Sequence, residues 1–395
     1  MVRSTTVGII ANPASARDIR RLVAQGGSLT THDKVNLLHR VLAGLGAVGV
    51  DRVLSMADGS GIMSGLLRGV GRPSNASWPE LTFVDQPITR TEADTSTATG
   101  HMVEAGVGAI VVLGGDGTNR VVAAHAGAVP LVSISTGTNN AFPQASEATV
   151  AGVAAGLVAT HRDCRTAGTY RAKTLEVVSG DRIERALVDV AITDVDGVGS
   201  GAVWDSSTLR ELYLSFAEAD AIGLSAIGGH LRPVARRHPE GLAIRLGEPA
   251  RYTVHPPIGP GLLSSTSVHT LSSLVAGRTV EARAASGVVA VDGERLFRFG
   301  IDRRPRITLR HDGPVVVDVA ATLRFAAEER LLSETAEAAE PAARSSSSST
   351  GDAKQPPNSP DEKGNHCEAT QSARALHRDG QDPAVRVPDP AGVPR

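Results

Sequence analysis

The chain has 395 residues, 41% of them hydrophobic and 21% charged, with a formal net charge of −2. That length suits two or three domains of roughly 100–200 residues. The near-neutral balance excludes bulk electrostatic attraction to nucleic acid or to an anionic membrane, but not a local phosphate pocket. Cys164 and Cys367 cannot form a disulfide framework and fit a reducing cytoplasm. The opening MVRSTTVGIIANP lacks the apolar stretch of a signal peptide. No apolar run approaches the ~20 residues needed to span a bilayer.

In chain order, Thr6–Ala11 is a short apolar run closed by Asn12-Pro13 and reads as a buried strand. Residues 33–46 place Leu38, Val41, Leu42 and Leu45 at i, i+3, i+4 and i+7, one face of a helix with Asp33 as its N-cap. Strands are expected at 52–56 and 81–84, and a Thr-rich helix at 94–106. Residues 109–113 form a continuous apolar run, the pattern of a parallel strand covered on both faces. It leads straight into Gly114-Gly115-Asp116-Gly117. A helix near 118–125, a strand at 129–134 and a helix near 146–160 follow. The alternation predicts an α/β domain with a doubly wound parallel sheet over residues 1–148.

From 149 to 313 the pattern changes to short strands, at 174–178, 186–193, 242–246, 250–254, 266–270, 278–283, 287–291 and 306–310. Turn signals such as Ser179-Gly180-Asp181 and Asp292-Gly293 separate them, which predicts a β-rich second domain. One helix is expected within it, over 207–219, because Leu209, Leu212, Tyr213 and Phe216 share a helical face. Residues 314–332 are apolar and are expected to return to the first domain. Residues 334–395 carry ten acidic and seven basic side chains and few large apolar ones, and read as a disordered tail.

The strongest chemical signal is Gly114-Gly115-Asp116-Gly117-Thr118-Asn119 after the strand at 109–113. Glycines let backbone N–H groups approach an anion, and a helix N-terminus adds a favourable dipole. Asp116 sits where ligands bind in open α/β sheets, suited to anchor Mg²⁺ or to take a proton from an attacking hydroxyl. Thr118 and Asn119 are candidates for phosphate contact beside it. Asn12 and Ser15, in Asn12-Pro13-Ala14-Ser15, follow the first strand; Gly137, Thr138, Asn139 and Asn140 follow the strand at 129–134. In a parallel sheet these three loops share one edge. Arg17, Arg20 and Arg21 read as surface residues, with Arg17 a candidate to face a phosphate. Arg165, Arg171 and Lys173 read as solvated residues near the domain junction, and Cys164 as a small buried residue. His230, His238 and His255 lack metal-ligand spacing.

Together these motifs resemble the NAD kinase and diacylglycerol/sphingosine kinase superfamily, and within it the ATP-NAD-kinase-like branch that includes proteins similar to acetoin-catabolism protein X. The resemblance spans residues 5–332. It implies an N-terminal α/β domain, a C-terminal β-sandwich domain, and GGDGT at the nucleotide phosphates between them. Gly114, Gly115, Gly117 and Thr118 are then phosphate contacts, and Asp116 the essential acid. Val291-Asp292-Gly293-Glu294 resembles the late DGE element, which puts Asp292 and Glu294 at the nucleotide; as plain sequence it is also a hairpin turn. Residues 221–229 resemble the Gly-Ser-Thr-Ala-Tyr region, with Ser225 beside the dinucleotide.

Two positions depart from the pattern. Leu187-Val188-Asp189-Val190 keeps the acid of the Asn-Glu pair as Asp189 but has Val188 for the Asn, which removes an amide donor and acceptor. Lipid kinases carry Gly-Thr-Gly-Asn-Asp-Phe, where this chain has Ala141 in place of the Asp. The implied activity is an ATP-dependent, Mg²⁺-assisted small-molecule kinase with a ribose hydroxyl of NAD as acceptor, giving NADP. Its partners are small nucleotides, with a homo-oligomeric assembly implied by resemblance only. A lipid or other polyol kinase, and a nucleotide-binding regulator without catalysis, remain alternatives.

Overall fold

A computed structural model describes residues 5–15, 25–27, 29–72, 77–137, 139–144, 146–194 and 201–333. Thr138, Arg17, Arg20, Arg21 and the tail at 334–395 lie outside the described residues. The first half builds strands β1 (Thr6–Ala11), β2 (Arg52–Ser55), β3 (Glu80–Phe83), β4 (Ile110–Gly114) and β5 (Leu131–Ser135). Between and after them lie helices α1 (Thr31–Ala47), α2 (Ile62–Leu67), α3 (Glu92–Glu104), α4 (Asp116–His125), α5 (Ala148–Thr160) and α6 (Arg162–Gly168).

The stripe of Leu38, Val41, Leu42 and Leu45 on α1 is fully buried. Each such side chain contributes about 1.5–3 kcal/mol by leaving water. The helix begins earlier than its stripe suggests. Thr30, not Asp33, is the N-cap: Asp33 N–H donates to Thr30 Oγ1, and Asp33 Oδ2 accepts from Thr30 N–H, a capping box. Asp33 is its reciprocal partner three residues on.

The second half contributes β6 (Thr169–Arg171), β7 (Thr174–Ser179), β8 (Arg182–Ala186), β9 (Asp189–Thr193), β10 (Leu209–Leu214) and β11 (Glu240–Leu246). Next come β12 (Tyr252–Val254), β13 (Pro257–Gly259), β14 (Leu262–Leu263), β15 (Thr266–Val275) and β16 (Thr279–Glu281). Last are β17 (Gly287–Val291), β18 (Glu294–Phe299), β19 (Arg306–Arg310) and β20 (Val315–Val317). Helices α7 (Ser225–Gly229) and α8 (Val319–Glu328) complete the described elements.

The first sheet has the order β3-β2-β1-β4-β5-β20-β6 and is parallel except for β6. β20, from the far end of the described chain, lies in this sheet beside β5. The second sheet, β12-β15-β11-β10-β9-β17-β18, is antiparallel throughout its pairings, as is the third, β16-β19-β7-β8. Val190 and Ile192 of β9 and Tyr213 of β10 pack with Leu175, Val177, Ile307 and Leu309 from the third sheet. Ala191, Leu212 and Leu214 face the other way, onto Leu224, Ile227, Val234 and Ile258. The architecture is thus an α/β domain with a mostly parallel sheet, followed by an antiparallel β-rich region.

The helix expected at 207–219 is instead a 3₁₀ turn and the strand β10. Both faces of β10 are covered, so its apolar residues do not alternate cleanly, and Leu209, Leu212, Tyr213 and Phe216 imitate a helical stripe. Glu211 stays buried in this strand because its carboxylate accepts from Arg283 N–H, Ala284 N–H and Tyr213 O–H. Lys173 is not solvated: it is 3% exposed, and its Nζ donates to Glu240 O at 2.8 Å. Burial lowers its pKa to about 8. Cys164 is buried. No helix among the described residues is long and apolar enough to cross a membrane.

Candidate active site

The strand order places β1 and β4 at the centre of the parallel sheet, with β2 and β3 on one side and β5 on the other. That is where the chain reverses direction of sheet growth, and a crevice opens there beyond the carboxyl ends of the strands. The loops after β1, β4 and β5 all end at this crevice, and side chains knit them together. Asn12 Nδ2 donates to Thr118 Oγ1 at 2.8 Å, and the hydroxyls of Ser15 and Thr136 meet at 2.9 Å. Thr136 N–H donates to Gly114 O.

Under the first loop lies Lys34, 2% exposed. Its Nζ donates to the carbonyls of Asn12, Pro13 and Ser15 at 3.0, 3.0 and 2.9 Å. A buried ammonium is tolerated only when it is hydrogen-bonded, and these carbonyls turn the loop's oxygens away from the crevice. Thr136 and Lys34 were not among the candidates drawn from the motifs. Lys34 nevertheless left a trace: it lies four residues before Leu38, a charge on the apolar face of α1.

Asn140 wedges between the loops. A Cβ on Gly115 would lie 2.7 Å from Asn140 Oδ1, and one on Gly137 would meet its Nδ2, so a side chain at either position would displace the Asn140 amide. Gly114 is close against Thr118 in the same way. Gly117 differs: a Cβ there would meet only Glu294 Oε1, at 3.9 Å. Nothing in the protein's own packing requires glycine at 117. Asn119 is turned from the crevice into the sheet: its Nδ2 donates to Gly115 O, and its Oδ1 accepts from Ser133 Oγ. It braces the turn and is fully buried.

Asp116 opens α4 and is 8% exposed. Its Oδ2 accepts from Ala141 N–H at 3.1 Å and its Oδ1 from Phe142 N–H at 2.9 Å. Opposite it, the second sheet supplies Asp189 and Asp292. Asp292 and Gly293, at φ +49° and +76°, form the turn between β17 and β18. The hairpin turn and the cleft-lining element are therefore the same residues. Asp292 accepts N–H bonds from Leu187, Val188 and Asp189, and its Oδ2 lies 3.6 Å from Arg120 Nε. Burial, reinforced by the nearby Asp116 carboxylate, pushes the Asp292 carboxyl up to about 7. Arg120 lies one helical turn after Asp116 and ties α4 to that hairpin.

Asp116, Asn139, Asp189, Ser225 and Asp292 line one narrow cleft, part of it open to solvent, together with Gly223 and Gly293. Asn139 Nδ2 donates to Ile258 O, but Asn139 Oδ1 has no hydrogen-bond partner among the described residues. Neither has Ser225 Oγ, on a residue 1% exposed. Glu294 is exposed at the rim. The two departures noted in the sequence, Val188 and Ala141, are both buried in one apolar cluster with Phe142, Leu187 and Phe216. The Val188 side chain therefore lies among hydrocarbon, and its backbone does the polar work: its N–H donates to Asp292 and its carbonyl accepts from Ser215 N–H.

Among the described residues no group of three His, Cys, Asp or Glu side chains is placed to hold a metal ion. Each oxygen of Asp116 accepts one backbone N–H. This donor set fits a Mg²⁺ ion that arrives on a polyphosphate, not one caged by protein alone.

The ATP-NAD kinase N-terminal domain matches residues 7–162, and the acetoin catabolism protein X C-terminal domain matches residues 173–312. Acetoin catabolism protein X of Cupriavidus necator is 43% identical over 335 residues, covering 82% of this chain and 93% of its own length. The chain belongs to the acetoin catabolism protein X family. Two solved structures of a candidate diacylglycerol kinase from Bacillus anthracis align over 80% of this chain and 97% and 98% of their own, at 12% and 13% identity and TM-scores of 0.41 and 0.37. In this family member the N-terminal half, with the glycine loop and Asp116, is of the ATP-NAD kinase type.

Proposed function

We propose that the protein is an ATP-dependent small-molecule kinase that phosphorylates an alcohol, with a ribose hydroxyl of NAD as the acceptor and NADP as the product. One observation carries the reading: Asp116 stands between three interlocked loops at the sheet edge and a polar cleft lined from the second sheet. The loops after β1, β4 and β5 take the ATP phosphates, with the N-terminus of α4 favouring their charge. The acceptor enters the cleft beside Asp189 and Ser225. Its oxygen attacks the γ-phosphorus, the bond from that phosphorus to the β–γ bridging oxygen breaks, and ADP leaves. The hydroxyl proton passes to the Asp116 carboxylate. Such chemistry is mostly positioning and charge stabilisation, which the braced loops provide. A Mg²⁺ ion bound with the nucleotide supplies charge neutralisation at the phosphates.

The test is purified protein with ATP, Mg²⁺ and NAD, read by NADP formation. The relative's name ties it to acetoin catabolism, so the acceptor panel includes acetoin and simple polyols beside NAD. NADP formation is the expected result. ADP release with another acceptor and none with NAD replaces the acceptor; nucleotide binding without turnover on any acceptor overturns the kinase reading.

A further inference from the structure

The peptide group joining Ala141 to Phe142 is gripped at both ends. Its N–H, on Phe142, donates to Asp116 Oδ1 at 2.9 Å. Its carbonyl, on Ala141, accepts from Arg236 Nη2 at 2.5 Å. One peptide therefore links a carboxylate of the first domain to a guanidinium that follows α7 in the second half of the chain. The neighbouring peptides strengthen the grip: Ala141 N–H donates to Asp116 Oδ2, and Arg236 Nη1 donates to Phe142 O at 2.7 Å.

Arg236 is itself held from two directions. Its Nε donates to Glu218 Oε2 at 3.0 Å, and its Cζ stacks 4.3 Å from the centroid of Phe216. Its side chain is 13% exposed. A planar guanidinium fixed by a carboxylate and an aromatic face presents its remaining donors in one geometry, which a lysine ammonium does not reproduce. Next to it, Arg237 reaches back to the first sheet, pairing with Asp318 at 3.0 Å and stacking on Tyr170. The Arg236-Arg237 segment thus straps the β-rich region to the α/β domain at the loop that carries Asp116's partners.

We infer that Arg236 is a positioning residue for Asp116, acting through the Ala141–Phe142 peptide. Hydrogen bonds to charged groups are roughly twice as strong as neutral ones, and here one peptide makes such a bond at each end. The guanidinium polarises the carbonyl and so strengthens the N–H bond that fixes the carboxylate's orientation. Arg236 is not among the described residues that line the cleft, and its hydrogen bond to a cleft residue is the one to the Ala141 carbonyl. The inference rests on the kinase reading only for its kinetic consequence; the grip on the peptide is independent of it.

Two variants test it. Arg236→Lys keeps the charge and one or two donors; Arg236→Met keeps the stem and loses every donor. A misplaced reacting group costs on the order of a hundredfold in rate. The expected result is therefore a fall in kcat of about a hundredfold for Arg236→Met and a smaller fall for Arg236→Lys, with KM for ATP and acceptor changed less than about threefold. Amide hydrogen exchange at Ala141 and Phe142 is expected to quicken in the same order in both variants, while exchange in β9 and β10 stays as in the parent. Unchanged exchange at these two amides overturns the inference whether or not the protein is a kinase. So does a matching loss in KM and kcat with general loosening of the second sheet, which marks Arg236 as structural only. If the parent protein transfers no phosphoryl group, the kinase reading fails, and the exchange arm alone decides the grip.

Discussion

On the sheet-edge wall of the cleft the polar side chains are paired with protein: Asn12 with Thr118, Ser15 with Thr136, Asn140 with Ser135, and Lys34 with three carbonyls. Where the second half of the chain meets that wall, two buried atoms have no hydrogen-bond partner among the described residues: Ser225 Oγ, and Asn139 Oδ1 at the far end of the loop after β5, whose Nδ2 reaches across to Ile258 O. Buried polar groups are seldom left this way, and each costs about 1–3 kcal/mol while it is. The loops after β1 and β4 are braced by the protein itself. The meeting line of Asn139 and Ser225 is left with polar atoms to satisfy. A preformed wall suits an invariant group such as a polyphosphate, and an unsatisfied one suits the partner that must be told apart from others.

The largest effect is expected where the walls meet. Asp116→Asn removes the proton acceptor and sets an amide NH₂ against the backbone N–H of Ala141 or Phe142. Turnover should fall by roughly 10²–10⁴-fold, with a small loss of melting temperature. Near-parental turnover in steady-state assays would remove Asp116 from the chemistry. Lys34→Met attacks the finished wall: carbonyls left without a donor cost about 1–3 kcal/mol each. Calorimetric ATP affinity should drop by at least about tenfold and the melting temperature with it; unchanged affinity would show that the loop after β1 holds without its tripod.

A sharper contrast comes from two small changes. Gly117→Ala adds a methyl into open space and, in a helix, gains up to about 1 kcal/mol of stability. It should still weaken ATP binding several-fold, and equal affinity would place the phosphates elsewhere. Ser225→Ala should leave ATP affinity unchanged and raise the acceptor KM instead. The smallest effect concerns the seam. The Asp292 carboxyl is held at about 7 when folded, so the native state binds more protons than the unfolded chain between the ordinary carboxylate range and that value. Its contribution to stability is present at low pH and lost as pH rises through about 7. Asp292→Asn should flatten that decline in urea melts at pH 5 and pH 8; an unchanged slope would assign it to another group.

Much of the sheet-edge wall was legible in the sequence, because it is local. A strand, a glycine turn and a helix start are contiguous, and GGDGT carries its own context. Lys34 and Arg120 were legible in principle, as a charge on an apolar helical face and as the residue one turn after Asp116. The facing wall was harder. β10 is covered on both sides, so its apolar spacing imitated a helix, and its buried Glu211 depends on partners more than 70 residues away. Arg236 has no periodicity to betray it; its role exists only once Ala141 and Phe142, over 90 residues earlier, are folded against it.

The apolar cluster shared by Val188, Ala141, Phe142 and Phe216 bears on how this family's specificity can be re-engineered. Val188 and Ala141 belong to the same buried apolar cluster, and Ala141 also borders the cleft. Placing an asparagine at 188 alone would strand an amide among hydrocarbon, and placing an aspartate at 141 alone would crowd a further negative charge against Asp116 and Asp292 at the cleft. Changes at the two positions are therefore expected to be non-additive, each harmful by itself and tolerable only in company. A variant library that samples them singly will reject every route that a paired library would find.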